Sequence, residues 1–514
     1  MTGTLWRRHR ALVLLLSLSL VAGCGSTVSS AQRRAAQRAG ASDIGVEAGG
    51  AQPGTDVATD AGDSAGAGGS DTATARRSTS GTSRTGASST ALGPGVSAKE
   101  INVGLAYAVN SGVANAALGA TGITQGDAKR EYEIVIDDIN AHGGVAGRKL
   151  VPVFHEVDGA TTATLATVAQ QTCDDWTLDH KVFVAMTAGD DTTRECLHKR
   201  GVLQIAGDFS TYESGVFSQY PYYVELSSMS LDRIAMAEVA ALDAQKYFTG
   251  WNHATGTSGV GKAKVGIVTF DDPHFGHAVD KTLVPALAKL GLAPAAADII
   301  RVQTVQRTSD TGPIAAAVSG AVLKLRSDNV SHVIIFDERG VLTLLFLENA
   351  QSQHYLPRYG FNSQNGPQAL ADGSGLPKQQ LVGSLGIGWL PGLDLPPAQN
   401  TPTGPYSNEA RRKCNALYQS KGITFSDANA EAIGLGICNG FWFFRDTVKL
   451  SGDILNKVGF MAGVAKVGTS FQSNSVFATR FTATQHDGVS AVRYYAYDPG
   501  CTCMKYTSGN VNVP

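Results

Sequence analysis

The sequence predicts an α/β fold built on parallel sheets. Residues 101–109 (INVGLAYAV) and 150–154 (LVPVF) are short and rich in β-forming residues, and a segment with helical periodicity separates them. A strand, a helix and a second strand in that order form a right-handed βαβ unit, which places the two strands parallel in one sheet. The alternation continues through residue 206 and starts again at 264–270 (KVGIVTF), so we expect two α/β lobes.

The helical segment of the first unit has an apolar face. Four residues recur along it at spacings of four, three and four: Ala128, Tyr132, Val135 and Ile139. Four charged residues point outward: Lys129, Arg130, Glu133 and Asp137. Thr124 and Asp127 form a T-x-x-D start signal, and Gly143 and Gly144 can adopt the left-handed conformation that ends a helix. We therefore expect this helix to cover the sheet.

The later segments follow the same alternation. In the first lobe we expect a helix over about 161–177, a strand at 182–186, a short helix through Arg194 and a strand at 202–206. In the second lobe we expect a helix after 264–270, strands near 300, 333–336 and 359, and helices between them. Pro285 implies a kink or a late start in the first of these helices. Residues 381–390 are expected to return the chain to the first lobe, which then contains a buried helix at 428–450.

The composition excludes two classes of function. The 514 residues carry a formal net charge of -2, which offers no basic face for nucleic acid. Charged residues make up 17% and apolar residues 43% of the chain, which is the balance of a soluble protein and not of a multi-pass membrane protein. The titratable residues show no readable nucleophile–base pair, HExxH or CxxC motif. We therefore predict no enzyme activity and no cofactor.

The N-terminus predicts export and a lipid anchor. Three arginines precede an apolar run at 11–23 that is too short to span a hydrocarbon core of roughly 30 Å comfortably. This pattern indicates a signal peptide over residues 1–23. Residues 20–24 (LVAGC) resemble a bacterial lipobox, in which cleavage leaves Cys24 to receive lipid. An ordinary signal peptide or a short anchor with an incidental cysteine is the alternative.

Residues 24–96 predict a disordered tether. They consist of Gly, Ala, Ser and Thr with scattered charges, and they contain no aromatic residue. Such a segment cannot bury enough apolar surface to fold. A flexible coil of roughly 70 residues spans on the order of 45 Å, so this segment would act as a tether.

One stretch resembles a known protein family. Gly126, Asp127 and the phrase IDDINAHGGVAGRKL at 136–150 are similar to the first βαβ unit of the type 1 periplasmic binding proteins, specifically the branched-chain amino-acid (leucine/isoleucine/valine) branch. The resemblance continues more weakly over about residues 98–506, through PYYVELSS at 221–228 and DDPHFG at 271–276. It implies two Rossmann-like lobes with parallel-sheet cores, joined by a hinge of three crossings. Lobe 1 would comprise 97–225 and 387–487, and lobe 2 would comprise 226–386 and 488–514.

The cysteine count suits an oxidising compartment, because six cysteines remain once Cys24 is set aside. The expected pairs are Cys173 with Cys196, Cys414 with Cys438, and Cys501 with Cys503. The first pair resembles a disulfide of the family, and the second would join two later helices. A bridge over the short loop of the third pair would be strained, and a metal site is the alternative for that CxC motif.

Candidate ligand-binding residues follow the predicted strands. In open parallel sheets the ligand sits beyond the carboxyl ends of the strands, and two facing sheets place both rims on one cleft. The candidates of lobe 1 are Tyr107, Thr187, Ala188, Gly189, Asp190, Thr192, Phe209, Ser210 and Thr211. Those of lobe 2 are Ser228, Asp271, His274, Phe275, Asp337 and Glu338. An ordinary core, capping or solvated role is the alternative for each.

The loop at 187–192 (TAGDDT) departs from the pattern of the family. In the amino-acid binders the matching loop supplies hydroxyls and backbone N–H groups to the ligand carboxylate, and Thr192 matches that pattern. Asp190 and Asp191 stand where small hydroxyl residues are usual, and a carboxylate disfavours a carboxylate ligand unless a cation intervenes. We therefore expect a neutral or cationic solute if either aspartate faces the ligand. Alternatively, one of them caps the helix that starts near Thr192.

The resemblance implies an extracytoplasmic solute-binding receptor, lipid-anchored to the bacterial cell membrane. Such a receptor would deliver a small polar ligand, for example an amino acid, an amide or a related compound, to an ABC permease. A ligand-sensing receptor that regulates a membrane partner without transport is the alternative on the same fold. Both functions need the same cleft, so the residues favour neither.

Overall fold

The computed structural model describes residues 91–117, 120, 122–187, 190–207, 211–304, 306–307 and 311–513. Within them, helices alternate with strands that form two large, mainly parallel sheets, which confirms the predicted fold class. None of the helices in these residues combines the length and the apolar character needed to cross a membrane. The predicted signal peptide, Cys24 and residues 25–90 of the predicted tether lie outside the described residues. The predicted end of the tether at residue 96 is wrong, because the backbone N–H of Gly93 donates to Leu455 O at 2.8 Å and Val96 packs on the core of lobe 1.

The first sheet forms the core of lobe 1. Its strands are β1 (Glu100–Val109), β2 (Lys149–Asp158), β3 (Val184–Met186), β4 (Leu203–Ala206) and β5 (Tyr223–Glu225). They lie parallel in the order β2-β1-β3-β4-β5. β1 pairs with β2 from Glu100 opposite Lys149 to Val109 opposite Asp158. The first βαβ unit therefore lies at one edge of this sheet.

The second large sheet forms the core of lobe 2. After a small hairpin of β6 (Trp251–Asn252) and β7 (Thr257–Ser258), its strands are β8 (Val265–Asp271), β9 (Ile299–Gln303), β10 (His332–Phe336), β11 (Arg358–Asn362), β12 (Leu385–Gly388), β13 (Ala491–Asp498), β14 (Cys503–Tyr506) and β15 (Val511–Asn512). The order is β14-β13-β12-β11-β10-β8-β9, with β15 paired to β13. The strands from β8 to β12 are parallel, and β13 runs antiparallel to β12 and β14.

Helices cover both sheets. Those before the first crossing between lobes are α1 (Ser111–Ala117), α2 (Ala128–Ala141), α3 (Leu165–Asp174), α4 (Asp191–Arg200) and α5 (Val216–Gln219). Those of lobe 2 are α6 (Leu231–Ala244), α7 (Pro273–Ala278), α8 (Val284–Lys289), α9 (Thr311–Ser327), α10 (Val341–Ser352), α11 (Pro367–Gly373) and α12 (Pro391–Asp394). After the chain returns to lobe 1, it forms α13 (Glu409–Ser420), α14 (Ala428–Leu450) and α15 (Lys457–Val467).

Helix α2 begins at only one of its two predicted start residues. The Asp127 side chain caps it by accepting the backbone N–H of Arg130 at 3.2 Å. The Thr124 hydroxyl instead donates to Asp427 at the start of α14, at 2.5 Å. Thr124 therefore ties two helices together and does not cap α2. Gly143 and Gly144 end the helix with φ values of 98° and 71°, as predicted.

The buried face of α2 is wider than predicted. Ile134 and Ile136 are buried along with the expected Val135 and Ile139, and so is Glu131. The reason is that α2 packs against both the sheet and α14, where the rings of Tyr132 and Phe441 lie 6.2 Å apart. A helix between two layers buries more than one stripe.

The helical segment that contains Pro285 runs without a gap from α7 through α8. A wide π turn at Val279–Leu283 connects α7 to α8, and Pro285 lies in the first turn of α8. A proline is tolerated there because it supplies no N–H to the preceding turn, which the widened backbone accommodates. Of the two predicted alternatives, the structure shows the late start, because α8 begins at Val284 with Pro285 in its first turn.

Two crossings between the lobes lie side by side. Leu226 belongs to the core of lobe 1 and Met229 to that of lobe 2, so the first crossing lies between them. The last crossing includes His486 and Gly488. The backbone N–H of Glu225 donates to His486 O at 3.0 Å, and that of Gly488 donates to Glu225 O at 2.8 Å. These hydrogen bonds join the two strands of the hinge.

The remaining crossing lies later than predicted. Residues 385–388 form β12, which pairs in parallel with β11 of lobe 2. Trp389 and Leu395 also belong to the core of lobe 2, and the chain next contributes to the core of lobe 1 at Cys414. The expectation that 381–390 return to lobe 1, with a boundary at 387, is therefore wrong. A short apolar run predicts a buried strand, but it does not identify the sheet that the strand joins.

The three expected cysteine pairs are disulfides in the structure. Cys173–Cys196 joins α3 to α4, Cys414–Cys438 joins α13 to α14, and Cys501–Cys503 closes the turn between β13 and β14. The described residues contain no group of three or more His, Cys, Asp or Glu side chains placed to hold a metal ion.

Candidate functional site

The two lobes meet where their parallel strands end. Helix α4 follows β3 of lobe 1, and α7 follows β8 of lobe 2. The carboxylate of Asp191, the first residue of α4, lies 2.9 Å from Nε2 of His274 in the first turn of α7. Both rims therefore face one cleft, as expected for two facing parallel sheets.

Asp190 caps helix α4. Its carboxylate accepts the backbone N–H of Thr193 at 2.8 Å and the Thr193 hydroxyl at 2.5 Å. Both carboxylate oxygens are therefore bonded within the first turn of the helix. The capping alternative holds for Asp190.

Asp191 faces lobe 2 between two basic side chains. Its Oδ1 atom accepts from Nη2 of Arg194 at 2.5 Å, and His274 lies on its other side. Burial alone would raise the pKa of Asp191, but the hydrogen bond from His274 and the charge of Arg194 outweigh it and lower the pKa to about 2. Asp191 is therefore an ionised carboxylate with partners from both lobes.

Further contacts join the same part of the rim. Nδ1 of His274 lies 3.3 Å from the Glu213 carboxylate, which also contacts Nδ1 of His277, and the Thr211 hydroxyl donates to Glu338. Of the predicted site residues, Thr211, His274 and Glu338 thus come together here. Glu213 and His277 were not predicted, although their positions close to 208–211 and 271–276 offered a signal.

Three predicted residues lie in the interior of lobe 2. Ser228 is 1% exposed and accepts a hydrogen bond from Gln364 at 2.8 Å, and Phe275 is 1% exposed with its ring 5.5 Å from that of Phe270. Asp337 is 2% exposed and accepts the backbone N–H of Thr343 at 2.9 Å. The structure therefore places these residues in core and capping roles and not on the cleft surface. Position after a strand does not separate a ligand contact from a core residue.

The surroundings of four other predicted site residues differ from one another. The Tyr107 hydroxyl donates to Glu156 at 2.9 Å on the neighbouring strand, and Asp271 is exposed at the end of β8. Thr187 and Thr192 are half-buried on either side of the loop that leads into α4. Ala188, Gly189, Phe209 and Ser210 lie outside the described residues.

A cavity opens beside this rim, at the carboxyl end of β1. Its volume is about 610 Å³, and its described lining consists of residues 108–112, 115 and 123–126. All of these residues are uncharged, and they include hydroxyl and amide side chains such as those of Ser111, Asn115, Thr124 and Gln125. Tyr107 was the only predicted site residue in this region, and the lining residues that follow it at the same strand end were not predicted.

The segment after the cavity touches lobe 2. The backbone N–H of Gly122 donates to Gly373 O at 2.9 Å, and Ala120 is buried in the core of lobe 2. A second contact joins the backbone N–H of Leu165 to Gln306 O at 2.9 Å. With the Asp191–His274 contact, these bonds join the two lobes across the cleft.

The fold is shared with solved structures of solute-binding proteins. No family model and no curated protein sequence matches the chain. A fatty acid ABC transporter substrate-binding protein from Thermomonospora curvata is 15% identical with a TM-score of 0.54, over 82% of this chain and 93% of that chain. A possible leucine/isoleucine/valine-binding protein from Rhodopirellula baltica SH 1 is 11% identical with a TM-score of 0.54, over 80% and 97%. A solute-binding protein from R. palustris, in complex with 4-hydroxybenzoate, is 13% identical with a TM-score of 0.54, over 81% and 97%. The chain thus has the type 1 periplasmic binding protein fold that its sequence predicts.

Proposed function

We propose that this protein is an extracytoplasmic solute-binding receptor that closes its two lobes over a small polar ligand. The observation that carries the proposal is the contact across the cleft between Asp191 of lobe 1 and His274 of lobe 2. Such a contact stabilises a closed form, and a ligand that binds this form better than the open one shifts the population towards it. The described residues offer no arrangement for a metal ion, and the solved structures that share the fold are named as binding proteins.

The proposed ligand is a small neutral polar solute such as an amide or an amino acid. The uncharged lining of the cavity beside β1 supports this class, because hydroxyl and amide groups can bond such a solute without an ion pair. A cationic ligand is not expected, because neither aspartate is left to bind it. Asp190 caps a helix, and Asp191 is paired with Arg194 and His274.

We further propose that Cys24 carries the lipid anchor and that an ABC permease receives the ligand. The lipobox-like residues 20–24 and the predicted tether, shortened to end before residue 91, support an anchored receptor with room to reach a membrane partner. Cys24→Ala should release the protein from membranes. Uptake of the ligand that depends on this protein would favour transport, and unchanged uptake in its absence would favour a sensing receptor.

The binding proposal is tested by identifying and then titrating the ligand. Mass spectrometry of compounds released from the denatured, purified protein should find one small neutral polar solute. Ser111 lines the cavity, so Ser111→Leu should fill part of it and weaken calorimetric binding of that solute by more than about tenfold.

The exposed Ser420 at the end of α13 provides the matched control. Ser420→Leu adds the same side chain outside the cavity and should leave the affinity unchanged. Equal binding by both variants would remove the cavity from the proposal.

A further inference from the structure

The turn between β13 and β14 carries a disulfide that differs from the other two. Cys501 and Cys503 are two positions apart in sequence, whereas the cysteines of the other pairs are 23 and 24 positions apart. Cys501 is exposed to solvent, and the four cysteines of the other pairs are at most 7% exposed. A thiol in solution can therefore reach Cys501 in the folded protein, while the other two disulfides are shielded from it.

The hairpin does not depend on this disulfide. A cross-link constrains the unfolded chain less as the loop that it closes becomes shorter, and this loop contains only Thr502 between the two cysteines. The same turn is held by the Asp498 carboxylate, which accepts the backbone N–H of Gly500 at 2.8 Å and bonds Nζ of Lys505 at 3.0 Å. The strands β13 and β14 are also paired along their length. The hairpin therefore stays paired when the S–S bond opens.

The residue between the two cysteines has a costly backbone conformation. Thr502 has a φ of 52°, in the left-handed region that β-branched residues rarely adopt. The disulfide is one of the constraints on this residue, because it closes a small ring around it. Reduction removes that constraint and leaves Thr502 free to relax, which favours the reduced form. Disulfides that are strained and exposed are the ones that exchange with thiols.

The sulfur of Cys503 has a hydrogen-bond donor. Nε2 of Gln399 lies 3.3 Å from Sγ of Cys503, which is 4% exposed. Gln399 belongs to the segment that leads from the core of lobe 2 at Leu395 to the core of lobe 1 at Cys414. An N–H group bonds a thiolate more strongly than a neutral sulfur, because the bond is then assisted by charge. Cys503 is therefore the sulfur that leaves more readily as a thiolate, and Cys501 is the sulfur open to attack.

We propose that Cys501 and Cys503 form a thiol–disulfide exchange site that accepts two electrons from an extracytoplasmic dithiol. One thiolate of the dithiol attacks Sγ of Cys501 to form a mixed disulfide, and the original S–S bond breaks with Cys503 leaving as a thiolate. The second thiolate then attacks the sulfur of the dithiol in the mixed disulfide and releases Cys501. The dithiol ends as a disulfide, and its two protons end on the two cysteines.

The exchange site is separate from the cleft. β13 runs antiparallel to β12, and it continues past the amino end of β12 to reach the turn at Asp498. The turn therefore lies at the amino ends of the parallel strands of lobe 2, whereas the cleft lies at their carboxyl ends. Exchange at this turn needs no ligand in the cleft, so its test and the test of ligand binding can fail independently.

Reduction of the folded protein tests the proposal. The full chain carrying Cys24→Ala is treated with dithiothreitol at neutral pH, and the free thiols are alkylated and located by mass spectrometry. We expect the Cys501–Cys503 disulfide to be reduced at least about a hundredfold faster than the two buried disulfides, which are controls within the same molecule. Equal rates for the three disulfides, or reduction of this one only after unfolding in urea, would overturn the proposal.

A monothiol identifies the sulfur that is attacked. With glutathione the first product is a mixed disulfide, which acid quenching traps and fragment sequencing of the peptide locates. We expect glutathione on Cys501, because that sulfur is exposed and the Cys503 thiolate is stabilised by Gln399. Glutathione on Cys503 would contradict the proposed direction of attack.

A variant of Gln399 tests the donor. Gln399→Leu should slow formation of the mixed disulfide by about fivefold, which corresponds to the loss of one hydrogen bond to the leaving sulfur. Gln419→Leu, at an exposed position of α13, is the matched control and should leave the rate unchanged. The thermal unfolding midpoint shows that both variants are folded. Equal rates for both variants would remove Gln399 from the exchange site.

Discussion

Lobe 1 and lobe 2 share one architecture but place their ionisable groups differently. At the cleft, lobe 1 presents the carboxylates of Asp191 and Glu213, and lobe 2 presents two histidines. In the interior of lobe 2, burial raises the pKa of three carboxyl groups to about 7, those of Glu238, Asp337 and Asp394. In the interior of lobe 1, burial raises the pKa of Glu131 to about 7.

This difference shows what the fold determines and what it leaves open. Parallel sheets determine that strand ends meet at the cleft, because every strand of such a sheet points the same way. They do not determine the charge at each rim or the polarity of each core. Since lobe 2 holds both the histidines and most of the buried carboxyl groups, we expect pH to act on it more than on lobe 1.

The largest expected effect is a loss of stability of lobe 2 at alkaline pH. A carboxyl group whose pKa is raised by folding stabilises the folded state fully below about pH 4, and this contribution is lost as the pH rises through about 7. Between about pH 5.5 and pH 8.5, each buried carboxyl should lower the free energy of unfolding by about 2 kcal/mol. Urea unfolding at the two pH values measures the loss.

Amide variants assign this loss to a lobe. Glu238→Gln with Asp394→Asn should reduce the pH dependence about twice as much as Glu131→Gln in lobe 1, because two of the groups are removed instead of one. The amide oxygen of each variant can still accept the hydrogen bond that the carboxylate accepts now, from Asn362 at position 238 and from the Tyr506 hydroxyl at position 394. Equal effects of the two variants would contradict the assignment to lobe 2.

The second effect concerns the glycine contact that closes the cleft beside the cavity. A Cβ atom on Gly122 would lie 2.6 Å from Gly373 O of lobe 2, so Gly122→Ala should disfavour the closed form. A steric conflict of about 2 kcal/mol would weaken ligand affinity roughly thirtyfold. Gly320→Ala in α9 is the control, because nothing lies within 4 Å of its Cβ position and it lies outside the cavity lining. Calorimetric titration that gives equal affinities for both variants would show that this contact does not limit closure.

The third effect separates the adjacent aspartates of lobe 1. Asp190→Ala removes the cap of α4 and should lower the free energy of unfolding by about 1 kcal/mol, whereas Asp190→Ser retains a capping hydroxyl and should cost less. Neither change should alter which solute binds, because the carboxylate is bonded to Thr193. Urea unfolding and titration together test this. A new preference for carboxylate ligands in the serine variant would mean that Asp190 faces the ligand.

The smallest effect is expected from Asp191→Asn. The side chain of Asp191 is 56% exposed, and ion pairs of exposed groups contribute about 0–1 kcal/mol. The ratio of closed to open protein, read from the distance between spin labels on Lys199→Cys and Lys289→Cys, should therefore fall by no more than about fivefold. A much larger fall would mean that the contact of Asp191 with His274 is a main determinant of closure.

The sequence predicted the segments whose pattern is local. Helix α14 occupies 428–450 as expected, and β1 and α2 lie close to their predicted bounds, because each is long and strongly periodic. The assignment of β12 to lobe 1 failed because an apolar run of ten residues fits either sheet. The wider buried face of α2 depends on α14, which is some 290 residues away in sequence, so its own periodicity could not reveal it.

The site was less predictable than the fold. The sequence indicated the strand ends, and the capping alternative for Asp190 was right. It did not indicate that Asp191 would pair with His274, 83 residues later, because that contact depends on how the two lobes are placed against each other. Nor did it separate the exposed Asp271 from the buried Asp337, since both follow a strand and differ only in how the next helix begins.

The most direct test of the account is the distance between labels on Lys199→Cys and Lys289→Cys before and after addition of the solute released from the purified protein. The labels are placed in the full chain carrying Cys24→Ala, because the other six cysteines are paired in disulfides. The account predicts that saturating solute converts a mixture of distances into the single short distance of the closed form. Stoichiometric binding of the solute with an unchanged distribution of distances would contradict closure of the two lobes over a ligand.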